Sequence, residues 1–409
     1  MKQKYQFKLS VLTLMFFGVC LVSAVQVQAG IKNGWHIAAS GNKGFASENA
    51  GYETDIAVSE AGEMYIAFQD KRLNKRVRVR KLVSNKWIDL ADNNNPKGAV
   101  SGAKAFNPNL AVRNGKVFVA FMDVVAGNRV RVKEWNGSVW RNLADGTYPD
   151  GLISFDIGEE PEIKFNRSGT LLYATWRDIA SGGRIKVLKW DGVNWSAVTS
   201  DNFPDGLISP GSAAEVTLVA SKINDSMYFA YEDVTQNFRL AVKKWDGANW
   251  SAVADATHPD GLVSATPAYS PSIDVDSMDR IYAVYTYERE GRTYLHFWDG
   301  TNWQILGNGI VAEKKTIEST VGVSSKDEVF VAMSQYKKVG KKKIAWGTRV
   351  RKWNGNRWVD LEDKKYRQGF ISRKGKGDPA LAFSGGRIFV SFTDYASSRR
   401  ARLMSFKVE

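Results

Sequence analysis

The sequence predicts an all-β chain folded as a seven-bladed β-propeller with four-stranded blades. Three observations carry that expectation: a tryptophan that recurs along the chain, a turn signal that recurs with it, and an unmatched strand at each end. The tryptophans stand at positions 35, 87, 140, 195, 250, 303 and 358, separated by 52, 53, 55, 55, 53 and 55 residues. A unit of about 50 residues holding four short strands is the signature of a propeller blade.

The turn signal lies just ahead of the tryptophans. Lys189-Trp190-Asp191-Gly192-Val193-Asn194-Trp195 matches Lys244-Trp245-Asp246-Gly247-Ala248-Asn249-Trp250, with variants at Trp135-Asn136-Gly137, Trp298-Asp299-Gly300 and Trp353-Asn354-Gly355. Asp-Gly or Asn-Gly between alternating apolar runs marks a hairpin, because glycine accepts the positive φ of a tight turn. In the second repeat the expected strands are Asn109–Val112, Val117–Met122, Arg129–Trp135 and one starting near Trp140. No sustained helical period occurs after the N-terminal segment. Residues Gly34–Ser40 read as a fourth strand with no preceding three. The last repeat offers only Ala380–Phe383, Arg387–Thr393 and Arg402–Val408. Pairing the two ends would complete a seventh blade and remove the free sheet edges.

Residues 1–29 read as a signal peptide, with Lys2, Lys4 and Lys8 ahead of an apolar run and Val27-Gln28-Ala29 as a cleavage site. Residues 30–409 then form one propeller domain, periplasmic or secreted, with no transmembrane segment. The only cysteine, Cys20, lies in the leader, which excludes disulfides and thiolate chemistry from the mature chain. Removing three lysines and no acid lowers the formal charge from +14 to +11. That balance favours anionic partners.

Two features recur on the face that carries the inter-blade loops. One is a Pro-Asp-Gly loop, as in Tyr148-Pro149-Asp150-Gly151, Phe203-Pro204-Asp205-Gly206 and His258-Pro259-Asp260-Gly261. The other is an acid closing the second strand: Asp70, Asp123, Asp178, Asp233 and Asp394. Repetition favours a scaffold role for both. Alternatively, Tyr148, Phe203 and His258 stack on sugar rings while Asp150, Asp205 and Asp260 accept hydroxyl hydrogens. On the same face, repeats 6, 7 and 1 place a basic sector that includes Lys337, Lys338, Lys341, Lys342, Lys343, Lys365, Arg367, Arg373 and Lys374.

Catalytic signals are thin. The three histidines, His36, His258 and His296, have no metal-ligand spacing, and no phosphate-binding glycine loop is present. Aligned first strands place Asp55, Asn109, Glu162, Ser272 and Thr320 in one channel layer, with Lys164 and Asp274 in the next. Asp55, Glu162 and Asp274 are the candidates for a hydrolytic carboxylate pair or for a structural calcium ion; no other cofactor is expected.

The Trp-(Asp/Asn)-Gly-x-x-Trp repeats resemble, in architecture, the secreted propeller lectins of the tachylectin and bacterial fucose-binding kinds. That resemblance implies sugar sites between blades and transfers no binding residue. The Ser-x-Asp-x-Gly-x-Thr-Trp box of sialidases is absent. The resulting expectation is a non-enzymatic, secreted binding protein for acidic glycans or anionic surface polymers. A polysaccharide hydrolase or lyase at the channel mouth, or a protein-docking scaffold in an envelope assembly, is the alternative. Secretion argues against nucleic acid.

Overall fold

The computed structural model describes residues 34–39, 43–287, 289–339, 343–372, 377 and 379–408, and leaves the side chains of residues 337–339 and 343–345 undescribed. Residues 1–29, expected to be a signal peptide, and Lys341, Lys342, Arg373 and Lys374 therefore lie outside the described residues, as do the side chains of Lys337, Lys338 and Lys343. The described chain is all-β, built from four-stranded antiparallel sheets of the propeller type with single 3-10 turns between strands. Among the described residues no helix is long and apolar enough to cross a membrane.

Repeats 2 to 6, residues 105–142, 158–197, 213–252, 269–312 and 316–360, each form one four-stranded meander. Repeat 1 (45–89) and repeat 7 (380–407) share an eight-stranded sheet that also contains Trp35–Ile37. Trp35–Ile37 pairs antiparallel with Arg400–Lys407, aligning Trp35 with Phe406 and Ile37 with Met404. The two halves of this sheet join where Phe45 pairs with Arg402. The same type of bridge occurs elsewhere as Arg78 to Ala99, Arg131 to Leu152, Lys186 to Leu207, Ala241 to Leu262 and Arg349 to Phe370.

The hairpin turns form for a local reason. In repeat 3 the Asp191 carboxylate accepts the N–H groups of Val193 and Asn194 at 2.8 and 2.7 Å, while Gly192 sits at φ 102°. An aspartate that satisfies the two following amides fixes the turn without help from the rest of the chain. Each such turn brings two aromatic rings together. Trp135–Trp140, Trp190–Trp195, Trp245–Trp250, Trp298–Trp303 and Trp353–Trp358 have ring centroids 5.2 to 5.6 Å apart. Trp35 and Phe406, from opposite ends of the chain, make an equivalent pair at 5.3 Å.

The apolar core lies between sheets. One buried cluster joins Val77 and Tyr65 of repeat 1 to Leu110 and Trp140 of repeat 2. Others join repeats 2 and 3, 3 and 4, 4 and 5, 5 and 6, and 6 and 7 in turn. A further cluster sets Phe389 and Leu403 of repeat 7 against Ile66 and Trp87 of repeat 1. The fourth-strand tryptophans lock these interfaces. The indole N–H of Trp140 donates to Leu90 O at 2.7 Å, Trp195 to Leu143 O at 2.8 Å, Trp250 to Val198 O at 2.9 Å and Trp303 to Val253 O at 2.7 Å. Trp35 does the same to Leu361 O at 2.6 Å.

Trp35 is 5% exposed, so Trp35→Ala removes a buried indole and a buried hydrogen bond together. A loss of about 3–5 kcal/mol is expected in denaturant titration. Amide exchange should accelerate first along Arg400–Lys407, and unchanged protection there would refute the Trp35–Ile37 pairing.

Candidate functional site

The first strands of the seven repeats line one central cavity of about 850 Å³, which opens toward the turns between first and second strands. A smaller space of about 350 Å³ lies at its other end, next to the inter-repeat loops. Each first strand in repeats 1 to 5 enters through a β-bulge, where Glu53, Asn107, Glu160, Glu215 and Ser270 adopt φ of 49° to 54°. Bulges of this kind re-aim the residues beside them. The bulge brings Asp55, Asn109, Glu162, Thr217 and Ser272 into the channel at equivalent register, opposite Ala67, Ala120, Thr175, Ala230 and Val284.

The channel acids point sideways into the next repeat. Asp55 accepts the N–H of Leu110 at 2.7 Å, Glu162 that of Leu218 at 3.2 Å and Asp274 that of Val323 at 2.7 Å. Asn109 accepts from Ile163 at 2.8 Å in the same way. At the mouth, Glu53 accepts from Asn107 at 2.7 Å and Glu160 from Glu215 at 2.9 Å. Calcium was an expectation for Asp55, Glu162 and Asp274. Among the described residues no three carboxylate, histidine or cysteine groups converge to hold a metal ion, because these carboxylates are drawn to separate backbone amides.

Their surroundings still alter their acidity. Burial pushes Glu162 up to about 7, with the nearby Lys164 opposing and Asp55 adding to the shift. Burial pushes Asp55 up to about 6 against the hydrogen bond from Leu110 and the charge of Lys164. Asp274 is raised for the same first cause.

The recurrent loop features hold the scaffold together. Tyr148 is buried in the interface between repeats 2 and 3, Phe203 is half-buried under the Lys243 ammonium at 4.5 Å, and the His258 ring lies 2.9 Å from Asp255. Asp150, Asp205 and Asp260 are exposed, each in a separate loop. Asp205 and Asp260 accept the N–H two residues on, at 3.0 and 3.3 Å, and the Asp150 carbonyl accepts from Arg131. The structure does not bring these six residues into one site. The acids closing the second strand are committed as well. Asp123, Asp394 and Asp70 pair with Arg131, Arg402 and Arg78 at 2.7, 2.7 and 3.0 Å. Of the basic sector, Lys365 and Arg367 are described and exposed, and the Lys365 ammonium sits 5.0 Å over Tyr366.

A second concavity was not anticipated. Between the fourth strand of repeat 5 and the outer strands of repeat 6 lies a groove of about 770 Å³. Trp353, Trp358, Arg349, Arg351, Arg357, Lys314 and Asn308 line it, with Glu313 as the one acid. Gly307, at φ 67°, packs directly on the Trp353 ring, where a Cβ would come within 2.7 Å of it. The sequence carried a signal for this groove: Trp303 to Val311 spans eight residues, whereas Trp250 to Val263 and Trp358 to Ile371 span thirteen.

No protein-family model and no curated protein sequence matches the chain. Among solved structures, an ulvan lyase of a new polysaccharide-lyase family, bound to -[GlcA(1-4)Rha3S]-, matches with a TM-score of 0.57 at 10% identity, covering 90% of this chain and 96% of that one. SapL1 lectin in complex with α-methyl fucoside gives 0.49 at 17% identity over 76% and 96% of the two chains. The lectin of Aleuria aurantia, a six-bladed propeller, gives 0.46 at 14% identity over 72% and 93%. The chain resembles these propellers at the level of architecture, and at such identities the likeness is one of fold alone.

Glu162 and Asp55 hold their protons more tightly folded than unfolded. Their contribution to stability is complete below about pH 4, the ordinary carboxylate range, and is lost as pH rises through about 6 and 7. Glu162→Gln keeps an acceptor for Leu218 and removes the charge. The melting temperature of this variant should exceed that of the wild type at pH 8 and match it at about pH 4. A constant difference across that range would show that Glu162 is ionised throughout.

Proposed function

We propose that the chain is a secreted, non-enzymatic propeller that binds glycans or anionic surface polymers. The groove between repeats 5 and 6 carries this reading. It sets tryptophan rings beside four cationic side chains and an asparagine, the mix of apolar face and placed polar donors that carbohydrate sites use. The ulvan lyase and the lectins, which share the architecture, are solved with a saccharide or named for one, which fits a glycan partner.

The rest of the proposal concerns the frame. Residues 30–409 are taken as one domain of seven blades, closed by Trp35–Ile37. What supports this is that the shared sheet joins through the same type of bridge as the other junctions, and that an apolar cluster sits between repeats 7 and 1. Secretion follows from the apolar leader with its basic start. The basic loops of repeats 6 and 7 would add long-range attraction for polyanions.

Glycan-array binding of the mature protein at low and high salt tests the reading. Binding to acidic glycans that weakens with salt is expected, and a variant with Lys341, Lys342 and Lys343 changed to Glu should lose most of that salt-sensitive part. An array silent for both proteins would overturn it.

One observation favours a second reading, a hydrolase or lyase working in the channel. Glu162, held near neutrality in an open cavity beside Lys164, has the acidity of a general acid or base. Polysaccharide turnover abolished by Glu162→Gln with the fold intact would establish it; the binding proposal expects no turnover from either protein.

A further inference from the structure

The groove between repeats 5 and 6 exists because one junction lacks a part that neighbouring junctions possess. At several junctions the segment after the fourth strand supplies two acceptors to the next repeat's tryptophan. A backbone carbonyl three residues after the preceding tryptophan takes the indole N–H, as Leu90, Leu143 and Val253 do for Trp140, Trp195 and Trp303. An aspartate five residues after it takes the tryptophan backbone N–H, as Asp92, Asp145 and Asp255 do at 2.6, 2.5 and 2.6 Å.

In repeat 5 these positions are Leu306 and Asn308, and the five residues that usually follow are missing. The Asn308 side chain turns to Ile310 N, at 3.2 Å. Trp358, only 6% exposed, is left with an indole N–H that finds no acceptor among the described residues. A buried donor without a partner costs stability, so it calls for an oxygen from elsewhere.

We propose that this groove binds a carboxylate-bearing sugar, a uronate unit of an acidic polysaccharide, whose carboxylate supplies the oxygen acceptor that the Trp358 indole N–H lacks. The inference rests on the glycan-binding reading and gives it a site and a ligand class. Arg357 is exposed, and its side chain has no hydrogen bond or ion pair among the described residues, so it can meet the carboxylate at the rim. Arg351 lies deeper, anchored through its donors to Val311 O and Trp358 O and ion-paired with Asp360 at 3.3 Å. The Trp353 ring supplies an apolar face for the sugar. Gly307 and Gly309, both at positive φ on either side of Asn308, let this short segment yield so that a ligand oxygen reaches the Trp358 indole. Phosphate and sulfate share the negative charge but lack the ring that Trp353 would hold.

Tryptophan-fluorescence titration of the mature protein with tetragalacturonate, against maltotetraose and sodium sulfate, tests the inference. Saturable binding of tetragalacturonate alone is expected. Arg357→Ala should weaken it about tenfold, in line with loss of one charge-assisted hydrogen bond. Trp358→Phe should weaken it while melting at or above the wild-type temperature, since it deletes the unpaired donor. Inserting residues 254–261 of repeat 4 in place of Gly307–Gly309 should abolish binding and raise the melting temperature. Tetragalacturonate binding unchanged in Arg357→Ala and in the insertion variant would overturn the site while leaving glycan binding standing. Equal binding of maltotetraose or sulfate would overturn the uronate assignment. A protein that binds no glycan on the array either would remove both readings together.

Discussion

Repeats 2 to 5 are each fastened to the repeat before by a single side chain, the fourth-strand tryptophan. Its ring packs against the partner across its own hairpin, as Trp190 does with Trp195, and its indole N–H is delivered to a carbonyl of the previous repeat. That bond is buried, so a misplaced repeat would leave a desolvated donor without a partner. Trp35 extends the rule to the chain ends: it donates its indole N–H to Leu361 and its backbone N–H to Asp363 at 2.6 Å while lying against Phe406.

The channel is held by a different device on the inner edge. Sheets that pack face to face leave the first strands with backbone amides turned toward their neighbours. Asp55, Asn109, Glu162, Ser272 and Asp274 supply oxygens to these amides. This arrangement explains why polar groups line a channel that could have been filled with valine. It also explains the raised pKa of Asp55 and Glu162, because the same placement that satisfies an amide draws the carboxylate away from bulk water.

Much of this was legible in the sequence. The tryptophan period, the Asp-Gly turns and the inward register of Asp55, Asn109 and Glu162 all follow from spacing and alternation. The bulge was harder to see: Glu53, Glu160 and Glu215 carry φ values that only the pairing of first and second strands reveals. The loops left two readings open for a related reason. Tyr148 and Asp150 have the composition of a sugar site, yet tertiary packing buries the ring while the carboxylate stays exposed. The short step from Trp303 to Val311 was visible in the letters. Its meaning depended on knowing which carbonyl and which carboxylate serve the next tryptophan.

In a chain built from repeats, a residue type that returns in many units is accounted for by what the units share. Here that is the packing of the sheets and the closing of their strands, and three of the aspartates that end second strands, Asp70, Asp123 and Asp394, pair with third-strand arginines of their own repeat. Binding specificity needs something the common plan does not contain. The junction of repeats 5 and 6 departs from that plan in chain length and in Asn308, and both meet at a groove where, among the described residues, the Trp358 indole N–H has no acceptor. Shortening that were merely neutral would leave a closed or repacked interface. Instead it leaves a concavity lined by tryptophan and arginine, with a cost to stability that an occupant carrying an oxygen acceptor would relieve.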